Sequence, residues 1–183
     1  LKIDVSQPQG FLHFTSDFQV VIRVPGKGGY NFENTAFDVT TTSGSVIVGN
    51  TTALQDKNAD ANMNINNLSV STDSGRVLLT KYNEQKFNNI SVSTKSGSFT
   101  SEVEALNVES SAKFITTNGS ITLKNFAFKN DKDEDDVSKT LDLNLENGSF
   151  TAGKVAARID FVAASAKINV DNVVGSFVGN DAA

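Results

Sequence analysis

A twelve-residue pattern recurs along this chain and constrains its fold more than any other feature. It reads apolar, any, apolar, any, Thr or Ser, two residues, Gly, any, apolar, any, apolar. Phe37 to Val48 (FDVTTTSGSVIV) and Leu68 to Leu79 (LSVSTDSGRVLL) carry it in full. Ile90 to Phe99 (ISVSTKSGSF), Thr116 to Leu123 (TTNGSITL) and Leu141 to Phe150 (LDLNLENGSF) carry shorter versions. Ile159 to Val170 (IDFVAASAKINV) is a degenerate copy with Ala166 in the glycine place. Successive marker glycines lie 31, 22, 22 and 29 residues apart, at Gly44, Gly75, Gly97, Gly119 and Gly148. Two equal steps define a unit of 22 residues, and the longer steps hold polar insertions at 50–64 and 129–139. A period of this size with insertions confined to loops is the mark of a repeat array.

Within each copy the apolar residues alternate with polar ones, as in Phe18, Val20, Ile22 and Val24 or Leu141, Leu143 and Leu145. Period two means a strand with one buried and one wet face. Val, Ile, Thr and Phe fill these runs, as half-buried strands prefer. The chain therefore reads as all-β. At the marker position a reversal or corner needs positive φ, which Gly accepts freely. Two architectures satisfy this. Asn118-Gly119 and Asn147-Gly148 suit two-residue hairpins, with Thr72 facing Val77 in the Gly75 copy, which would build an antiparallel β-sandwich. Alternatively each glycine turns a corner and successive copies pile up as parallel strands, giving a β-solenoid of roughly 22-residue coils. The fixed unit favours the solenoid. Thr41, Thr72 and Thr94 then point inward beside the corner, where their hydroxyls can bond each other or the backbone.

The expected organisation is one domain spanning 1–183. Residues 1–36 lack the motif and form an N-terminal β cap, 37–172 hold the repeats, and 173–183 form a terminal coil and tail. The outward positions of such an array are free to be polar. Asn, Ser and Thr supply 55 of the 183 residues, which fits. The chain opens on Leu1, as a fragment or a processed form would. It has no charged segment leading into an apolar one, and no run of about 18 apolar residues that could span a membrane.

Little catalytic chemistry is legible. Cysteine is absent, which removes disulfides and thiolate metal sites. The only histidine is His13, so multi-histidine metal sites are excluded. As a general base His13 would need a nucleophile and an orienting acid, for which Ser6, Ser16 and Asp17 are merely close in sequence; a structural histidine is the better reading. The net charge of −5 without basic clusters points away from nucleic acid. The run Asp131 to Asp136 offers carboxylates for Ca²⁺, yet an EF-hand loop wants Gly where Asp136 stands and Glu where Asp142 stands. A solvated, self-repelling loop is the default. The glycine-rich Val24 to Tyr30 with its Lys27 lacks P-loop spacing and a following helix. Asp38, Ser69, Ser91 and Asp142 occupy equivalent outward places, too varied for an ice-binding array. Asn50, Asn67, Asn89, Asn118 and Asn147 open Asn-x-Ser/Thr triplets, which chance supplies in so Asn- and Ser-rich a chain. No catalytic, cofactor-binding or metal-binding residue is assigned, and no cofactor is expected.

The repeated Ser-Gly-Ser-Val, Ser-Gly-Arg-Val, Asn-Gly-Ser-Ile and Asn-Gly-Ser-Phe units resemble those of bacterial adhesin-like β-solenoid domains, including the type called the head GIN domain. The resemblance covers about residues 37–180. Members often have an acid after the glycine, where this chain has Ser or Arg. The resemblance implies an extracellular domain at the bacterial cell surface, with an adhesive or envelope-associated role and no catalytic residues. The expected function is a non-catalytic binding module that presents a repetitive β face and loops to a surface partner, protein or glycan. The alternative is a self-associating envelope spacer without a ligand. A polysaccharide-cleaving enzyme would need acids or bases clustered at the coil spacing, and none recurs there.

Overall fold

The computed structural model describes residues 36–48, 66–80 and 86–181. About 70% of these residues lie in β-structure and none in a helix, so the all-β expectation holds. The cap assigned to 1–36 falls almost wholly outside the described residues, as does the insertion 50–64. Twelve strands are described. They are β1 (Ala36–Thr41), β2 (Val46–Val48), β3 (Asn67–Thr72), β4 (Val77–Leu79), β5 (Lys86–Thr94), β6 (Ser98–Ser101), β7 (Leu106–Thr116), β8 (Ser120–Thr122), β9 (Asn125–Phe128), β10 (Thr140–Leu145), β11 (Ser149–Ala163) and β12 (Lys167–Asp181).

Every ladder between these strands is parallel, and among the described residues the one antiparallel contact is an isolated bridge between Lys129 and Asp135. The hairpin reading and the antiparallel sandwich built on it are therefore wrong. The two arms of each motif do not face one another; each pairs with the same arm of the next copy. Leu68 sits opposite Ile90, Val70 opposite Val92 and Thr72 opposite Thr94. On the other side of the glycine, Val77 sits opposite Phe99, and Ser98 opposite Ser120.

The pairings fall into three sets. One runs β1-β3-β5-β7-β10-β11-β12, a second β2-β4-β6-β8-β11-β12 and a third β5-β7-β9-β11-β12. β11 belongs to all three because it is fifteen residues long: Ser149 to Thr151 pair with β8, Lys154 to Ala156 with β9, and Arg158 to Ala163 with β10. Hydrogen bonding consequently closes on itself through β7, β9, β11 and β10. β12 follows β11 in register from Lys167 to Asp181, so the expected boundary at 172/173 falls inside one strand. The step also shortens: Ser149 pairs with Lys167, only 18 residues on.

The marker glycines are not there for positive φ. Among the described residues Gly175 alone of the glycines has it, at 135°. Close approach is the reason instead. A Cβ on Gly97 would lie 1.9 Å from the carbonyl oxygen of Gly75, and one on Gly75 1.9 Å from that of Gly44. At Gly148 the approach to Gly119 O loosens to 2.5 Å, and the next equivalent position is Ala166. The turns themselves are laddered. Ser96 N donates to Asp73 O, Asn118 N to Lys95 O and Asn147 N to Thr117 O, at 2.7–2.8 Å.

The inward residues form one core. Phe87, Phe99, Phe114, Phe126, Phe128 and Phe150 are fully buried. Ring contacts run Phe99–Phe114–Phe126–Phe128 with centroids 5.2, 6.3 and 5.2 Å apart, the last two edge-to-face. Thr72, Thr94 and Thr116 are buried in a column beside the glycines. Thr72 Oγ1 accepts from Gly75 N at 2.9 Å and Thr116 Oγ1 from Gly119 N at 2.8 Å, while Thr94 Oγ1 donates to Thr116 Oγ1 at 3.2 Å. That is the inward hydroxyl ladder expected from parity.

Candidate functional site

Two surface regions gather polar side chains. The first follows the glycine corner. Since successive turns hydrogen-bond to one another, the residues flanking each glycine are brought into register. Ser74, Ser96, Asn118 and Asn147 precede it, and Arg76, Ser98, Ser120 and Ser149 follow it. Together they line an open, shallow trough of about 520 Å³. Small side chains leave its floor as nearly bare backbone, with hydroxyls and amides recurring about every 4.8 Å, the spacing of paired strands. Asn147 Nδ2 donates to Asn118 Oδ1 at 3.4 Å, so the rail is partly tied to itself. Arg76 brings the trough's one cationic side chain, and it is exposed. Such a surface can hydrogen-bond an extended polar ligand at repeated points; it holds no side chain of catalytic basicity.

The second region is the insertion 129–139, and the structure corrects the expectation of a self-repelling loop. Three of its carboxylates, those of Asp133, Asp135 and Asp136, meet lysines. Asp135 takes Lys129 and Lys154 on its two oxygens, each at 2.9 Å. Asp133 lies 3.8 Å from Lys86, which also pairs with Glu109 at 2.7 Å. Lys139 pairs with Asp136 at 3.4 Å and donates to the backbone carbonyl of Glu109. Asn130 shapes the tip: its Oδ1 accepts from the N–H groups of Lys132 and Glu134, both at 2.9 Å. Asp133 follows with φ 62°, the left-handed region that Asp tolerates.

These contacts move titrations in the directions they should. Hydrogen bonds from Lys154 and then Lys129 hold the Asp135 carboxyl below its ordinary range. Asp136 is lowered too, chiefly by the Ser138 hydroxyl donating at 2.6 Å. Lys86 is raised, first by its bond to Glu109.

The other sequence candidates are placed as follows. His13, Ser6, Ser16, Asp17, the Val24 to Tyr30 segment and Asn50 lie outside the described residues. Asn67 of β3 and Asn89 of β5 are register partners and form a side-chain ladder, with Asn89 Nδ2 donating to Asn67 Oδ1 at 2.6 Å. Asp142 sits in β10, level with Lys113 and Asp160, and does not join the carboxylates of the loop. The calcium reading of Asp131 to Asp136 thus loses its closing ligand. Among the described residues no three His, Cys, Asp or Glu gather as a metal site would require. None of the described helices could cross a membrane, since there are none. Sequence reasoning missed Lys86, Lys129, Lys139 and Lys154 as partners of the acidic run. The pairing of Lys86 and Lys154 depends on a register set by steps of unequal length, which no local signal carries, whereas Lys129 and Lys139 pair within the loop itself, three to six residues from their partners.

No family model, curated protein or solved structure matches this chain.

Proposed function

We propose that the chain is a β-solenoid binding module: three-sided coils stacked along one axis, adhesin-like, non-catalytic and working at a bacterial cell surface. The observation that carries the reading is the corner trough, where hydroxyls and amides from four successive copies meet in register. A ligand engaging one step of such a rail meets the next at the same spacing, so weak contacts add along its length. An extended glycan is the partner this chemistry suits best, since its hydroxyls repeat along a chain and ask for many neutral hydrogen bonds. The repeated glycine units add the resemblance to adhesin-like domains. The test is a polysaccharide array probed with the chain and with Ser98→Tyr and Ser120→Tyr, which fill the trough without touching the core. Retention on array glycans that both variants abolish supports the proposal. Retention unchanged by filling the trough moves the binding surface to the flat faces or the loops.

A second reading, self-association as an envelope spacer, has its own support. β12 pairs only with β11 among the described strands, and Val173, Val174 and Phe177 on it are exposed. Sedimentation at rising concentration separates the readings: growth in mass with an empty array favours the spacer.

A further inference from the structure

The stacked strands touch only their neighbours, and an array of that kind opens piecemeal from its ends. Loop 129–139 breaks the rule. Its stem holds Lys154 of β11 through Asp135, and its tip reaches Lys86 of β5 through Asp133. In the third set of pairings Lys86 pairs with Asn107, Asn107 with Ala127 and Ala127 with Ala156. The two lysines therefore stand about 14 Å apart along the stack, three strand spacings. Between them Lys129 binds both Asp135 Oδ1 and the carbonyl of Asp133, and Lys139 Nζ lies on the carbonyls of Glu109 and Lys129.

We infer that this acidic loop is a longitudinal clamp, coupling the opening of β5 to that of β11 through ion pairs that bypass the ladders in between. An isolated surface ion pair would be too weak for this. The clamp differs in that one carboxylate is shared by two lysines and the loop between its two ends is fixed by its own backbone bonds, from Asp133 N to Asn130 O and from Asp136 N to Phe128 O. Removing Lys154 leaves Asp135 to Lys129 alone, loosens Asp133 and weakens the hold on Lys86. The inference rests on the stacked-coil reading and is independent of any ligand.

Hydrogen exchange on the full chain near neutral pH tests it. Lys154→Met removes one end, and the readout is β5, which Lys154 does not touch. The expected result is roughly fivefold faster exchange in β5, the size a small ion-pair network supports, with Asp135→Asn doing the same. The effect should vanish at about 1 M salt, where screening reaches ~3 Å. Lys95→Met, which breaks the 2.8 Å pair with Asp73 between adjacent copies, should act only locally. Exchange in Lys154→Met that rises in β11 and its direct partners alone would overturn the clamp. Wild-type β5, β7, β9 and β11 lacking protection altogether would instead overturn the stacked register, and the clamp with it.

Discussion

At Gly97 a single hydrogen atom decides whether two turns can lie on one another. A methyl group there would sit 1.9 Å from a backbone oxygen, and no side chain can rotate away to relieve it. Gly97→Ala should therefore cost about 3 kcal/mol, the upper range of overpacking. Gly44→Ala should cost less than about 1 kcal/mol, because its Cβ would meet chiefly the Thr41 hydroxyl, at 2.9 Å. Urea unfolding of the two variants checks the contrast. Thr72→Val removes the acceptor of a buried Gly75 N–H and should cost about 1–3 kcal/mol, whereas Thr72→Ser should recover most of it in the same assay. The marker glycines and the inward threonines were legible in the sequence, since both follow from spacing and parity. The reason for the glycines was not. Positive φ is a local property, and what excludes a side chain here is a carbonyl 22 residues away.

Strands and loops were legible in proportion to how local their causes are. The alternation in Leu68 to Thr72 and Leu141 to Leu145 marks β3 and β10 directly. The continuation of β11 through Gly153 and around two corners leaves no periodic trace, because its apolar parity resets at each bend. The acidic insertion was visible as a loop but not as an ordered one. Its pH behaviour follows from the lowered titration of Asp135. A carboxylate with a depressed folded pKa contributes stability above its unfolded value, and loses it as pH falls through the folded value. The chain should thus lose stability from about pH 4 downward, and Asp135→Asn should flatten that limb of a stability–pH curve measured by chemical unfolding. Lys86 acts at the other extreme: raised by Glu109, its contribution persists at neutral pH and fades only as pH rises through its folded value above 10.5.

For the whole molecule, composition and alternation were enough to reach an all-β fold, and the fixed unit leaned toward the corner, but the two arms of the motif suit a hairpin as well. Both bury the same residues, so alternation could not choose; only the identity of the partner strand does. That choice is also the central claim, and the absence of cysteine makes it accessible to spin labels placed in pairs. Asp38, Ser69, Ser91, Lys113, Asp142, Asp160 and Val178 form one outward row by register. Labels at Asp38 with Asp142, with Asp160 and with Val178 should give backbone separations of about 19, 24 and 29 Å, rising by one strand spacing per step. Distances from double electron–electron resonance that follow this staircase support a parallel stack along one axis. Distances that fail to increase in order, as antiparallel pairing within each motif would give, contradict it.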